Sequence, residues 1–237
     1  MAGEHESENR RGSHGGARPG AGRKRDKNRR DPLHRTRPEF AKRYPQHVVL
    51  RTKAEVGRLR RGPLYRALRR ALQRQLGKLG FQVCHLSIQR NHLHFLVEAA
   101  GKARLRHGMQ SIAISAAKAI NRTLKRKGKV FEYRYHATAI RTPRQARNAL
   151  AYVLNNWRRH NEDEKARAAR FAAIDPYSTA RQFKGWLESA EAVMPPGFKT
   201  FQPLEVGAPN TWLLATGWRE KYGPISCWAT PGPLSKL

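Results

Sequence analysis

Asn91-His92-Leu93-His94-Phe95-Leu96-Val97-Glu98, preceded by the apolar run Phe81 to Ile88 and the connection Gln89-Arg90-Asn91, is the stretch that decides the fold. Two strand-like runs joined by a few polar residues predict a β-hairpin. Side chains alternate along a strand, so His92 and His94 project to one face while Leu93, Phe95 and Val97 turn to a core. Two imidazoles on one face make a two-point grip for a metal ion. Two half-exposed histidines on an edge strand would give the same pattern, so a metal reading requires further ligands from elsewhere in the chain.

On either side of this hairpin the chain continues as alternating elements. Gln46 to Arg51 reads as a strand. Pro63 to Leu79 reads as a helix, with Pro in its first turn, Gly80 at its end, and Leu64, Ala67, Leu68, Ala71, Leu72, Gln75, Leu76 and Leu79 near one face. Its other face carries Arg66, Arg69, Arg70, Arg74 and Lys78. After the hairpin, Leu105 to Lys127 is predicted as a second helix, with Met109, Ile112, Ala113, Ala116, Ile120 and Leu124 in one seam and Gly128 as its stop. Phe131 to Ile140 reads as a fourth strand, and Thr142-Pro143 opens a third helix running to about His160. Strand, helix, strand, strand, helix, strand, helix is the order of a ferredoxin-like α+β sandwich, a split β-α-β with one helix added.

Charge points to the class of partner. Lysine and arginine number 48 against 17 acids, a formal net charge of +31 over 237 residues. Such an excess is a statement about polyanionic partners. No run reaches the roughly 18 to 20 apolar residues of a spanning helix, and the N-terminus lacks the apolar core of a signal peptide. A cytoplasmic protein without a membrane role is expected. Two cysteines, Cys84 and Cys227, are too few for a disulfide framework, and Cys84 in its apolar strand reads as a small buried hydrophobe.

Three regions are expected. Residues 1–36 are rich in Gly, Arg and Lys and almost without apolar residues, so they read as a disordered basic arm that either follows phosphates or is simply solvated. Residues 37–165 form the main domain. Residues 166–237 are an extension, partly helical: Arg181 to Trp186 reads as a short helix, Pro195-Pro196-Gly197 as a linker, and Thr211 to Tyr222 as a helix that either packs on the domain or binds DNA.

The third helix completes the candidate site. Ala146, Ala149, Leu150, Val153, Leu154 and Trp157 form its core-facing stripe. Asn156 falls about a quarter-turn from that stripe, Tyr152 further round on the same side, and Asn155 points away. Tyr152 and Asn156 are one turn apart, about 6 Å along the axis, on an edge between core and solvent. If that edge meets His92 and His94, the Asn156 amide oxygen reaches a metal and the Tyr152 phenol stands beside it. A phenol with a reference pKa near 10 is only about 0.1% ionised at neutral pH, so tyrosine needs help to act as a nucleophile. A divalent ion on a scissile phosphate provides it.

His92-Leu93-His94 is similar to the His-hydrophobic-His motif of HUH single-strand endonucleases. Ala149-Leu150-Ala151-Tyr152-Val153-Leu154-Asn155-Asn156 resembles the nucleophile helix of their single-tyrosine transposase branch, which includes the REP-associated tyrosine transposases and related insertion-sequence transposases. Residues 121–131 and Tyr133-Arg134-Tyr135-His136 are also similar to that branch, and the likeness covers roughly residues 40 to 162. The resemblance implies a ferredoxin-like antiparallel sheet with helices on one side and an added nucleophile helix. It implies Mg²⁺ or Mn²⁺ held by His92, His94 and Asn156, with Tyr152 as nucleophile. It further implies single-stranded DNA with a hairpin as partner, a 5′-phosphotyrosine product, and action as a monomer or as a homodimer with a shared site. By donor softness alone, two imidazoles suit zinc or another transition metal at least as well. His136 reads as a structural histidine or an aid to the phosphate, and Tyr133 and Tyr135, sharing a strand face, are rival nucleophiles. A non-catalytic module that holds DNA or RNA hairpins by charge is the alternative reading.

Overall fold

The computed structural model describes residues 38–75, 77, 79–162, 173–193 and 202–232. The basic arm of residues 1–36 and the linker at 195–197 lie outside the described residues. Four strands, β1 (Gln46–Arg51), β2 (Phe81–Ile88), β3 (His92–Ala99) and β4 (His136–Ala139), form one antiparallel sheet in the order β2-β3-β1-β4. Three principal helices, α1 (Gly62–Gln73), α2 (Lys102–Thr123) and α3 (Pro143–Arg159), interleave with the strands in the order expected of a ferredoxin-like α+β domain.

Alternation along β3 sorts the two faces. Leu93, Phe95 and Val97 join Val48 and Leu50 of β1 under Leu64, Leu68 and Leu72 of α1 and Leu105, Met109, Ile112, Ala116 and Ile120 of α2. At Gly108 α2 comes so near the sheet that a Cβ there would run into the Phe81 ring. The opposite face carries Leu96 and, next to it, Ala146, Ala149, Leu150, Val153 and Leu154 of α3. A bulge in β2 sets Val83 opposite Val97 and His85 opposite Leu96, so Cys84 is the extra residue and packs with the α3 cluster.

Several predicted boundaries move for local reasons. Helix α1 ends at Gln73 rather than Leu79, because Gly77 takes a left-handed φ of 72° and turns the chain before Gly80 does the same. Leu79, expected on the core face, is 84% exposed in consequence. Gln75 still finds α2, donating to Ser115 Oγ at 2.8 Å and accepting from Ser111 Oγ at 2.7 Å. Helix α2 runs from Lys102 to Thr123, and the chain turns at Lys125, φ 51°, ahead of Gly128. The fourth strand is only His136–Ala139; Phe131 makes a lone bridge to Thr52, and Tyr133 and Tyr135 lie off the sheet between them. Helix α3 begins as expected, with Thr142 as a cap that accepts from Gln145 N at 3.2 Å.

C-terminal segments pack on this domain. Tyr177 to Thr179 pair with the free edge of β2: Ile88 N donates to Tyr177 O and Thr179 N to Leu86 O. That covers an edge which would otherwise present unpaired backbone groups. Asp175 anchors the segment by accepting two hydrogen bonds from the Arg60 guanidinium at 2.8 and 2.9 Å, both groups being buried. The short helix expected over Arg181 to Trp186 is a single 3₁₀ turn, Ala180–Gln182. A π-helical turn, Leu213–Gly217, continues into the helix Trp218–Tyr222, and Leu213, Leu214 and Trp218 join the α3 cluster. Among the described residues no helix is long and apolar enough to cross a membrane.

Candidate active site

The α3 face of β3 and β1 carries the imidazoles. His92 and His94 are 9% and 2% exposed, with ring centroids 4.6 Å apart and planes perpendicular. His47 enters from β1, stacked on His94 at 5.2 Å. Each hairpin histidine has its Nδ1 engaged: His92 Nδ1 lies 2.9 Å from Asn91 Oδ1, and His94 Nδ1 lies 3.1 Å from His47 Nε2. A donor at Nδ1 leaves the lone pair on Nε2, the tautomer a metal ion requires. Nε2 of His94 is buried with no hydrogen-bond partner.

Helix α3 brings the other two predicted residues over this floor. Tyr152 stands edge-on to His94 with ring centroids 5.2 Å apart, and 6.0 Å from His47. Asn156, one turn on, is fully buried, and neither Oδ1 nor Nδ2 of its amide makes a hydrogen bond of good geometry. Burying an unpaired amide costs roughly 1–3 kcal/mol, so a buried imidazole nitrogen and a buried amide oxygen left open together fit a site built for an ion. Among the described residues no group of three or more His, Cys, Asp or Glu side chains is placed to hold one metal. An ion here would rest on two imidazoles and an amide.

Burial governs the titration of the site. Desolvation pushes His92 down to about 4, helped by His160 and Arg51, and pushes His47 to about 4 with help from His136 and His92. His94 falls well below the ordinary histidine range by burial and by its neighbours His47 and His92. All three are neutral at pH 7 and free to act as ligands or acceptors. Burial raises Tyr152 above the usual tyrosine value, while Arg159 and the nearby Asn156 amide pull it back. The phenol therefore stays protonated at rest.

Two neighbours were not anticipated. His47 directly precedes the apolar run Val48-Val49-Leu50 of β1, and a buried polar residue on the same strand was the available signal. His160, at the C-cap of α3, has its ring 5.8 Å from that of His92 and follows Tyr152 and Asn156 at spacing i, i+4, i+8. Asn155, predicted to face away from the core, is fully buried, because the segment beyond Pro224 crosses the outer face of α3: its Nδ2 donates to Ser226 O and Ala229 O at 3.0 and 3.1 Å. Arg147, Arg158 and Arg159 donate to the carbonyls of Pro224, Cys227 and Pro231 in the same strap. His136 is exposed on β4, paired across β1 at Val49. Tyr133 and Tyr135 do not share a strand face, and Tyr135 belongs to the core on the opposite side of the sheet from Tyr152.

Comparison with known proteins adds to this geometry. Residues 41–156 match the family model described as Transposase IS200 like, a range that includes His47, His92, His94, Tyr152 and Asn156. No curated protein matches the chain in sequence. Among solved structures the chain is similar to a REP-associated tyrosine transposase bound to a REP hairpin, at 15% identity over 73% of this chain and 98% of that one, with a TM-score of 0.50. At that identity the likeness speaks for a common fold.

Proposed function

With residues 41–156 assigned to the IS200-like transposase family, we propose that the protein is a metal-dependent endonuclease and strand transferase that cuts single-stranded DNA beside a hairpin. Tyr152 is the nucleophile, and His92, His94 and Asn156 are the metal ligands. The observation that carries this reading is the placement of the Tyr152 phenol edge-on to His94 while His94 Nε2 and Asn156 Oδ1 are buried and unpaired. The DNA partner follows from the net charge of +31 and from the hairpin bound by the similar transposase.

Mg²⁺ or Mn²⁺ bound through Nε2 of both histidines and the Asn156 amide oxygen would supply positive charge at a non-bridging phosphate oxygen. Tyr152 Oη forms the new bond to phosphorus as the bond from phosphorus to the 3′-oxygen breaks. The phenolic proton is lost to solvent, and the departing 3′-oxygen takes one up, so protons balance. The products are a 5′-phosphotyrosine and a free 3′-hydroxyl; attack by a 3′-hydroxyl reverses the step and rejoins a strand without ATP. His47 fixes the ring of His94 through Nδ1. Arg159 disfavours the neutral phenol as charge develops on it. Tyr152 and both histidines meet within one chain, which supports a site assembled in cis by a monomer.

A 3′-labelled hairpin oligonucleotide with a single-stranded flank, incubated with the protein and Mn²⁺, is expected to yield a labelled, denaturant-resistant protein–DNA adduct that EDTA abolishes. Equal adduct with and without metal would remove the metal from the reading. Tight, salt-dependent hairpin binding with no adduct under any divalent ion would instead mark a non-catalytic binding module.

A further inference from the structure

We propose that a basic cleft at the far end of the sheet from the imidazoles is a second contact site for single-stranded DNA, taking an unpaired base on Trp212. The cleft encloses about 1170 Å³ between the start of β2, the end of β3 and the C-terminal segment. Lys42, Arg43, Arg104 and Arg141 stand around it, all exposed and none in an ion pair among the described residues. The one carboxylate in its wall, Glu98, is buried and already committed: it accepts from the backbone N of Asn210 and Thr211 and from Thr211 Oγ1, at 2.7 to 3.1 Å. Its charge is spent on seating the C-terminal segment, and the free charge facing the cleft is entirely positive.

Besides the buried Phe81, two aromatic rings line this wall. Trp212 is 51% exposed although it opens a segment whose next residues, Leu213 and Leu214, are buried. A Cβ at Gly217 would collide with its indole, so one side of the ring lies against that glycine, and Nε1 donates to Glu220 at 3.3 Å. The ring is thus held in place with its remaining surface open to the cleft. Tyr44 is half-buried beside it, with the guanidinium carbons of Arg43 and Arg141 5.0 and 5.9 Å from its centroid. Fixed aromatic faces interleaved with unpaired cations are the means by which proteins hold single strands: bases stack on rings and phosphates meet arginine and lysine. A duplex keeps its bases stacked inside and has nothing to offer the indole. Ala99, at the cleft, is five residues beyond His94 on β3, about 17 Å along the strand. One DNA strand can therefore engage both places. Because Trp212 comes from the C-terminal extension and Arg104 and Arg141 from the domain, the extension completes a surface the domain does not have alone.

This inference rests on the reading of the protein as a single-strand DNA enzyme, and its test is chosen to be independent of cutting. The full chain is titrated into a fluorescein-labelled oligothymidylate of about a dozen nucleotides, within the usual site size of such proteins, at near-physiological salt, and anisotropy is read. Trp212→Ala is expected to weaken binding roughly 5- to 150-fold, the range for loss of one stacked base, while Trp212→Phe retains most of it and affinity for a blunt duplex is unchanged. Arg43→Glu with Arg141→Glu is expected to weaken the same complex and to flatten its salt dependence by about 0.7 per lost phosphate contact. A loss below about twofold in Trp212→Ala, or an equal loss for duplex and single strand, overturns the inference; should Trp212→Ala lower the melting temperature, the arginine variant decides by the same criteria. Adduct formation on a hairpin whose flank is too short to reach the cleft judges the catalytic reading separately. A wild type without adduct counts against that reading alone, and a Trp212→Ala variant with full adduct but weakened oligothymidylate binding supports the cleft.

Discussion

His47→Ala removes the group that holds the His94 ring, and its consequences can be worked through. His47 Nε2 is the partner of His94 Nδ1 at 3.1 Å, and both rings are 2% exposed. Without it, a buried Nδ1–H is left unpaired, a penalty of roughly 1–3 kcal/mol. The ring gains freedom to rotate or to take the wrong tautomer, either of which withdraws Nε2 from the ion. Loss of an outer partner of this kind typically lowers metal affinity or activity about 10- to 100-fold, about 1.4–2.7 kcal/mol, within the same range. Adduct yield measured against Mn²⁺ concentration is expected to shift its midpoint upward by that factor, with the maximal rate largely recovered at saturating metal. His47→Gln, whose amide oxygen can accept from His94 Nδ1, is expected to recover most of the affinity. An unchanged midpoint in His47→Ala, with its fold intact by circular dichroism, would refute the role given to His47.

Three further outcomes follow from the packing. His85 is buried and pushed down to about 4 by desolvation alone, so the unfolded chain binds a proton that the folded one refuses between about pH 6.5 and 4; stability is full above 6.5 and falls on acidification through that window, by about 3 kcal/mol for this residue. Urea unfolding in EDTA at pH 7 and pH 5 checks it, and equal midpoints would contradict it. Asp175→Ala leaves the buried Arg60 with Glu162 at 3.7 Å as its remaining ion-pair partner and the Ile88 carbonyl as an acceptor at 3.0 Å, and is expected to cost about 3–5 kcal/mol in denaturant unfolding; a loss under about 1 kcal/mol would show that the C-terminal segment is not anchored there. Gly108→Ala ordinarily favours a helix by about 1 kcal/mol, yet the collision with Phe81 reverses the sign to a net loss of about 1–3 kcal/mol, and Phe81→Leu in the same chain recovers part of it; a stabilised Gly108→Ala would contradict the close approach.

The sheet and its helices were legible because period-two and period-3.6 apolar patterns are local. His92 to Val97 declares its faces without reference to anything distant, whereas the bulge at Cys84 moves the core face of β2 from Phe81 and Val83 to Leu86 and Ile88; the family likeness drawn from His92-Leu93-His94 and the Tyr152 helix is met by the family match over residues 41–156. The ends of elements were less legible where two stops compete. Gly77 and Gly80 both adopt positive φ, and the earlier one ends the helix run. Least legible was whatever depends on the C-terminal segments. Helical phase alone sends Asn155 to solvent, but the strap of residues 224–231 turns that face into an interior. His47 was missed for a related reason: its meaning depends on which strand lies beside β3, and a sequence of strands does not state their order.

The central claim is that Tyr152, among the seven tyrosines of the chain, bonds covalently to DNA. The most direct measurement is to isolate the protein–DNA adduct formed with a hairpin substrate and Mn²⁺, digest both polymers, and locate the nucleotide-bearing tyrosine by mass spectrometry. The account predicts a single modified peptide carrying a 5′-phosphonucleotide on Tyr152, absent from the Tyr152→Phe protein. A nucleotide on Tyr133, Tyr135 or any other residue, or an undiminished adduct with Tyr152→Phe, would contradict it.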